Sequence, residues 1–210
     1  MKIIFLGAPG AGKGTQADRV SARLGIPTIS TGAIIRAAIQ DGTEMGLEAK
    51  KFIDHGALVP DHVVIEIVKA RLNESDCDKG YILDGFPRSV PQAKALDDMG
   101  VVIDHVISLE VADEAIVERM SGRRVCTKCG RTYHVDHLPS TKGDFCESCG
   151  GALKTRADDI PEVVKSRLEV YHSTTEPLKD YYRECGKLSL VYGAVEVDVT
   201  TKRTFEALGI

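Results

Sequence analysis

An apolar run, Lys2-Ile3-Ile4-Phe5-Leu6, leads directly into Gly7-Ala8-Pro9-Gly10-Ala11-Gly12-Lys13-Gly14-Thr15. A stretch so rich in glycine, with a lysine inside it, builds no hydrophobic core, so its surroundings decide what it is for. Residues 2–6 read as a short buried strand. From Lys13 to Leu24, apolar Ala17, Val20 and Leu24 recur at helical spacing, and Gly25 supplies a stop. Strand, glycine turn and helix make a βα unit. In such a turn the backbone approaches a ligand with no Cβ in the way. Its N–H groups, with the positive end of the following helix, hold a phosphate chain, and Lys13 adds a full charge beside it. The spacing departs by one residue from G-x-x-x-x-G-K-[ST]: Gly14 stands at the hydroxyl position and Thr15 follows.

The rest of the chain repeats the alternation. Residues 30–59 carry two short helical patterns, around Ile34–Ile39 and Met45–Ile53, punctuated by Gly42 and Gly56, with no strand between them. Asp61 reads as the N-cap of a helix bearing Val64, Ile67, Val68 and Leu72. Strands are expected at 81–83, 105–110 and 187–192, and helices at 90–99, 112–120, 160–172, 176–185 and up to Leu208. Alternating strands and helices imply an α/β fold with a parallel sheet covered on both faces. Residues 122–159 break the pattern, being rich in Cys, Gly and Thr and poor in periodicity.

That break contains Cys126-Thr127-Lys128-Cys129 and Cys146-Glu147-Ser148-Cys149, a C-x2-C-x16-C-x2-C spacing suited to a tetrahedral metal. Gly130 and Gly150 follow the two pairs, as expected where a tight knuckle brings N–H groups to sulfur. Four thiolates leave no open position, so the metal is structural, zinc or iron; His134 and His137 lie nearby as competing ligands. Cys77 and Cys185 read as free thiols. The formal net charge of −4 argues against a general polyanion binder, and a membrane span would need about 18 consecutive apolar residues. The start of the chain is too short to read as a signal peptide, so the expected compartment is the cytoplasm, where thiols stay reduced.

The glycine turn, Asp84-Gly85-Phe86-Pro87-Arg88 with Gln92 one turn later, Gly122-Arg123-Arg124, and Thr155-Arg156-Ala157-Asp158-Asp159 followed by Arg167 come in a telling order. Over essentially the whole chain they resemble the motifs of the adenylate kinase family of nucleoside monophosphate kinases, in its long bacterial form with a metal-bearing lid. The resemblance implies a P-loop nucleoside triphosphate hydrolase-like parallel sheet formed by 1–29, 60–121 and 160–210. A helical monophosphate-binding insertion at 30–59 and a zinc lid at 122–159 complete the expected architecture. The implied activity is reversible, Mg²⁺-dependent phosphoryl transfer from ATP to AMP, giving two ADP, by a monomer that uses no nucleic acid or membrane partner.

By the same resemblance, ATP meets Gly10, Ala11, Gly12, Lys13, Gly14, Thr15, Arg119, Arg123, Thr132, Tyr133 and Val195. AMP meets Thr31, Arg36, Ala57, Leu58, Val59, Gly85, Phe86, Pro87, Arg88, Gln92, Arg156 and Arg167. Lys13, Arg88, Arg123, Arg156 and Arg167 surround the transferring group, and Asp84 holds water on Mg²⁺. Asp158 and Asp159 either position lid arginines or cap the helix that begins near Ile160. Two other functions fit parts of this pattern. One is a zinc-ribbon nucleic-acid binder with an ATPase module, using Arg123, Arg124, Lys128, Arg131 and Lys142. The other is a kinase of the same family acting on UMP, CMP or GMP.

Overall fold

β1 (Lys2–Gly7) is buried along its length after Lys2, which is why it reads as an unbroken apolar run. The computed structural model describes residues 1–210. Further strands are β2 (Thr28–Ser30), β3 (Tyr81–Asp84), β4 (His105–Glu110), β5 (Arg123–Cys126), β6 (Thr132–His134), β7 (Leu153–Lys154) and β8 (Leu188–Tyr192). The helices are α1 (Lys13–Leu24), α2 (Thr31–Gln40), α3 (Glu44–Ile53), α4 (Asp61–Leu72), α5 (Val90–Asp98), α6 (Asp113–Gly122), α7 (Pro161–Val170), α8 (Leu178–Glu184) and α9 (Val197–Leu208).

Five strands form one parallel sheet in the order β2-β3-β1-β4-β8, with Phe5 level with Asp84 on one side and Ile107 on the other. Strands early in the chain lie to one side of β1 and later ones to the other. This reversal leaves a crevice at the carboxyl ends of β1, β3 and β4, the usual place for a ligand in an open α/β sheet. Alternate residues of β1 serve opposite faces. Ile3 and Phe5 pack with Ala17 and Val20 of α1 and Leu208 of α9. Ile4 and Leu6 pack with Val64 and Val68 of α4, Leu96 of α5 and Leu178 of α8. Each such fully buried side chain contributes about 1.5–3 kcal/mol, so the two apolar layers dominate the sheet's stability.

Four local readings change. β2 is a strand that sequence periodicity does not reveal: it has three residues, only Ile29 is buried, and Ser30 at once caps α2 by accepting from Ala33 N–H. Pro60, not Asp61, occupies the N-cap of α4. Asp61 is the first residue of that helix, and its carboxylate instead accepts from Ser89 Oγ at 2.8 Å and Gln92 Nε2 at 2.6 Å. Residues 123–154 contain a three-stranded antiparallel sheet, β6-β5-β7, whose strands are too short to show a period. The helix expected over 160–172 ends at Val170 and gives way to a π turn over Tyr171–Thr175.

Candidate active site and metal centre

The glycine loop fills the sharp bend between β1 and α1. Gly7 has φ 138°, and a Cβ there would lie 2.7 Å from the Leu109 carbonyl oxygen, so β4 could not come this close to a larger residue. Gly12, at φ 99°, is the N-cap of α1 and has open space where a Cβ would point. No side chain caps this helix, so its first N–H groups are free for an anion. Lys13 curls back over the loop and donates to the carbonyls of Gly7 at 2.7 Å and Ala8 at 2.9 Å. Burial lowers its pKa from 10.5 to about 8; Asp84 opposes the shift, while Arg88, Arg167 and Arg123 add to it. Asp84, ending β3, lies beside the start of α1: a Cβ on Gly14 would be 3.6 Å from its Oδ2.

The arginines arrive from separate elements. Arg123 grips Asp159 with two donors, Nε at 2.7 Å and Nη2. Arg167 reaches the carboxylates of Asp158 at 3.0 Å and Asp159 at 3.5 Å, and the Asp158 carbonyl at 2.8 Å. Burial opposes charge on Asp158, yet Arg167, Arg156, Arg123 and Arg36 together hold its carboxyl below the usual range. α7 begins at Pro161 with Ile160 at its cap and no side-chain cap bond. Asp158 and Asp159 are therefore arginine-positioning groups, and neither caps the helix. Arg88 Nε donates to the Gly85 carbonyl at 2.8 Å, and Thr31 Oγ1 donates to the same oxygen at 2.8 Å.

Arg36, Arg88 and Arg167 are all shifted below the ordinary arginine value by burial first and by neighbouring cations second. In Arg36 and Arg167 an aspartate stands between those two causes and opposes the shift. Arg156, whose Nε is buried without a partner, falls to about 9 through burial and repulsion from Arg36 and Arg123. Lys13, Arg36, Arg88, Arg123, Arg156 and Arg167 face Asp84, Asp158 and Asp159: six cations against three carboxylates. A partly buried surplus of this kind is unfavourable alone and suits a multiply charged anion.

Most residues expected at the monophosphate, though not Arg156, line one cavity that reaches Lys13 of the glycine loop: Thr31, Arg36, Ala57, Leu58, Val59, Gly85, Pro87, Arg88, Gln92 and Arg167. Phe86 does not: its ring is fully buried among Ile4, Leu83 and their neighbours, so it anchors the loop. Gln92 spends its amide on the Arg88 N–H at 2.8 Å and on Asp61. On the other side, Arg119 Nη2 donates to the Ala194 carbonyl at 2.8 Å, next to exposed Val195. Thr132 lies on β6, opposite Val125. The cavity also includes Tyr171 and Thr175, absent from the sequence expectations because the two helices read at 160–172 and 176–185 give no sign of the π turn that joins them.

The four cysteine sulfurs lie within 4.8 Å of one another, with Cys126–Cys149 at 3.4 Å and Cys129–Cys146 at 3.6 Å. Each pair sits in the same turn: Gly130 N–H bonds the Cys126 carbonyl at 3.0 Å, and Gly150 N–H bonds the Cys146 carbonyl at 2.9 Å. Lys128 and Cys129 N–H groups point at Cys126 Sγ. Four converging soft donors with amides directed at sulfur fit a closed tetrahedral zinc or iron ion. His134 and His137 stack on each other, and His134 Nδ1 accepts from the Asp136 and His137 N–H groups, so neither joins the sulfur set. Tyr133, expected to contact ATP, lies beside the sulfur cluster. Its side chain is buried against the cysteines, with the hydroxyl 3.3 Å from Cys146 Sγ and accepting from Glu147 N–H at 3.0 Å. That hydroxyl helps pull the Cys146 thiol down to about 6. Cys77 and Cys185 stand outside the cluster.

A glycine loop between the central strand and its helix, facing gathered arginines at the carboxyl edge of a parallel sheet, defines a P-loop α/β nucleoside-phosphate-binding protein. The family model described as adenylate kinase matches residues 5–187. The chain is 54% identical to an adenylate kinase of Caldicellulosiruptor bescii across the full length of both. It is 53% identical to one of Methanosarcina acetivorans, over 95% of this chain and 94% of that one. It is 48% identical to one of Carboxydothermus hydrogenoformans, over 94% of each. The chain belongs to the adenylate kinase family.

Proposed function

We propose that this chain catalyses reversible, Mg²⁺-dependent phosphoryl transfer from ATP to AMP, giving two ADP, and that the cavity between the glycine loop and Arg88 is where it does so. One observation carries the reading: four cations from separate segments, Lys13, Arg36, Arg88 and Arg167, line that cavity with Asp158 as the one carboxylate among its lining residues, and Arg123 and Arg156 stand close enough to repel them. Phosphoryl transfer asks for this. It needs two anionic reactants aligned, charge on the transferring group neutralised, and water kept out, with little covalent help.

In this reading Gly10 to Thr15 bind the triphosphate through backbone N–H groups, and Lys13 leaves its two loop carbonyls for phosphate oxygens. Arg123, Arg156 and Arg167 stabilise the transferring group, with Arg88 on the acceptor side. Arg36 holds the AMP phosphate, while Thr31, Ala57, Leu58 and Val59 border its base. Arg119 and Val195 border the ATP base. Mg²⁺ bound with ATP would neutralise phosphate charge, and Asp84, next to the start of α1, would hold it through water. Residues 30–59 form the monophosphate-binding unit and residues 122–159 the lid; their closure over the core of 1–29, 60–121 and 160–210 excludes water, a competing acceptor. Cys126, Cys129, Cys146 and Cys149 hold a structural zinc that supplies the lid with the order its few apolar residues cannot. A monomer in the cytoplasm fits these features.

The assay that tests the reading supplies ATP and Mg²⁺ with AMP, UMP, CMP or GMP separately and measures ADP. AMP is expected to be the best acceptor by at least tenfold. Equal rates with a pyrimidine monophosphate would reject the assignment of AMP.

A further inference from the structure

Between α7, which carries Arg167, and α8, the chain makes one wide π turn over Tyr171–Thr175, closed by the Glu176 N–H on the Tyr171 carbonyl at 2.8 Å. Widened turns of this kind recur at functional sites. Here the two ends of the turn touch different parts of the cavity. Tyr171 packs with Ala8 of the glycine loop and with Met120. Thr175 is buried, and its hydroxyl donates to the Arg88 carbonyl at 2.8 Å. The outer side of the turn is pinned as well. His172 lies between Asp113 at 3.0 Å and Glu176 at 2.7 Å, and Lys179 between Glu110 at 2.8 Å and Glu176 at 3.0 Å.

Arg88 is held at three atoms. Its N–H goes to Gln92, its Nε to the Gly85 carbonyl, and its own carbonyl receives Thr175. The first two bonds stay within residues 85–92 and move with that segment. Only the third ties Arg88 to an element that also touches the glycine loop.

We infer that Thr175 is a positioning residue for phosphoryl transfer, and that the π turn is a spacer fixing Arg88 against the glycine loop. The inference rests on reading Arg88 as an arginine of the monophosphate site. Without the hydroxyl, the Arg88 carbonyl loses its partner in a part-buried place, and the segment carrying the guanidinium is free to drift. Displacements of about 1 Å cost transfer reactions up to roughly a hundredfold.

Thr175→Val keeps the shape and removes the hydroxyl; Thr175→Ser keeps the hydroxyl; Thr175→Ala is the second variant without it, should valine fail to seat. The expected result for Val or Ala is a KM for AMP raised about tenfold and a lowered kcat, with KM for ATP within twofold of wild type. Ser should restore KM for AMP to within threefold. A parallel readout without nucleotide is the NMR signal of the Arg88 Nε–H, expected to shift or broaden in Val and Ala and to return in Ser. An unmoved Arg88 signal, or equal rises in both KM values, overturns the inference. Arg88→Lys separates it from the reading beneath it. If that variant leaves KM for AMP unchanged, the role of Arg88 in binding falls, and the Arg88 signal still decides whether Thr175 positions it. If Arg88→Lys raises KM for AMP and Thr175→Val does not, only the spacer falls.

Discussion

The parallel sheet and the cysteine-bearing segment reach order by different physics. In the sheet, Ile3, Ile4, Phe5, Ile82, Leu83 and Ile107 are completely or almost completely buried, and helices cover both faces. In residues 123–154 the buried apolar cluster is Cys126, Tyr133 and Cys146, with Cys149 and Leu153 against it. Three of those five are sulfur donors. The first region is stabilised by area removed from water and needs no additive; the second buries too little apolar area to be ordered on that basis, and its four converging sulfurs suit an ion that would supply the difference. The difference separates two tasks that a single apolar core would have joined. In the proposed function, a moving lid would keep its own shape around a buried cluster separate from those of the sheet.

The strongest way to break this comparison is to remove the metal. A chelator that strips zinc is expected to lower hydrogen-exchange protection of residues 123–154 by orders of magnitude and to leave β1, β3 and β4 protected. Simultaneous loss in both regions would mean that they are one cooperative unit. Next in size, Lys13→Met should lower kcat about a thousandfold, comparable to losing a key charge-stabilising donor, while shifting the melting temperature by only a few degrees. Near-normal turnover would reject the phosphate role of the loop lysine. Tyr133→Phe sharpens the contrast from the lid side. Losing the hydroxyl near Cys146 should weaken zinc retention about tenfold in competition with a chromophoric chelator, with the sheet unchanged. The smallest effect is in pH. With Lys13 lowered to about 8, its charge is lost as pH rises through that value. kcat/KM for ATP should therefore fall severalfold between pH 7.5 and roughly 9, and a flat profile over that range would contradict a lysine of lowered pKa at the site.

Features that rest on local chemistry could be read from the chain. α1 spans Lys13–Leu24 with Gly25 as its left-handed C-cap, as its apolar spacing and terminal glycine require. The cysteine spacing likewise foretold convergence of four sulfurs. Features that depend on long-range partners could not. β2 has meaning only beside β3. Asp61 left its expected capping role because Ser89 and Gln92, distant in sequence, offer it better donors. Phe86 lies within a motif segment and Tyr133 between the two cysteine pairs, yet each turns its ring into a core, because an aromatic side chain contributes most where it is enclosed. The duty of Asp158 and Asp159 became legible only when Arg123 and Arg167 were seen to close on them.

That last pairing has a kinetic consequence. The Asp159 side chain is completely enclosed, and its carboxylate is shared by two guanidiniums carried by different elements, β5 and α7. It behaves as a resident anion that holds both arms in place in the absence of nucleotide. In the proposed reaction an incoming phosphate would exchange one anionic partner for another, and a departing product would be displaced as the aspartate reclaims its arginines. The same contact that readies the site for entry would thereby favour a rapid exit.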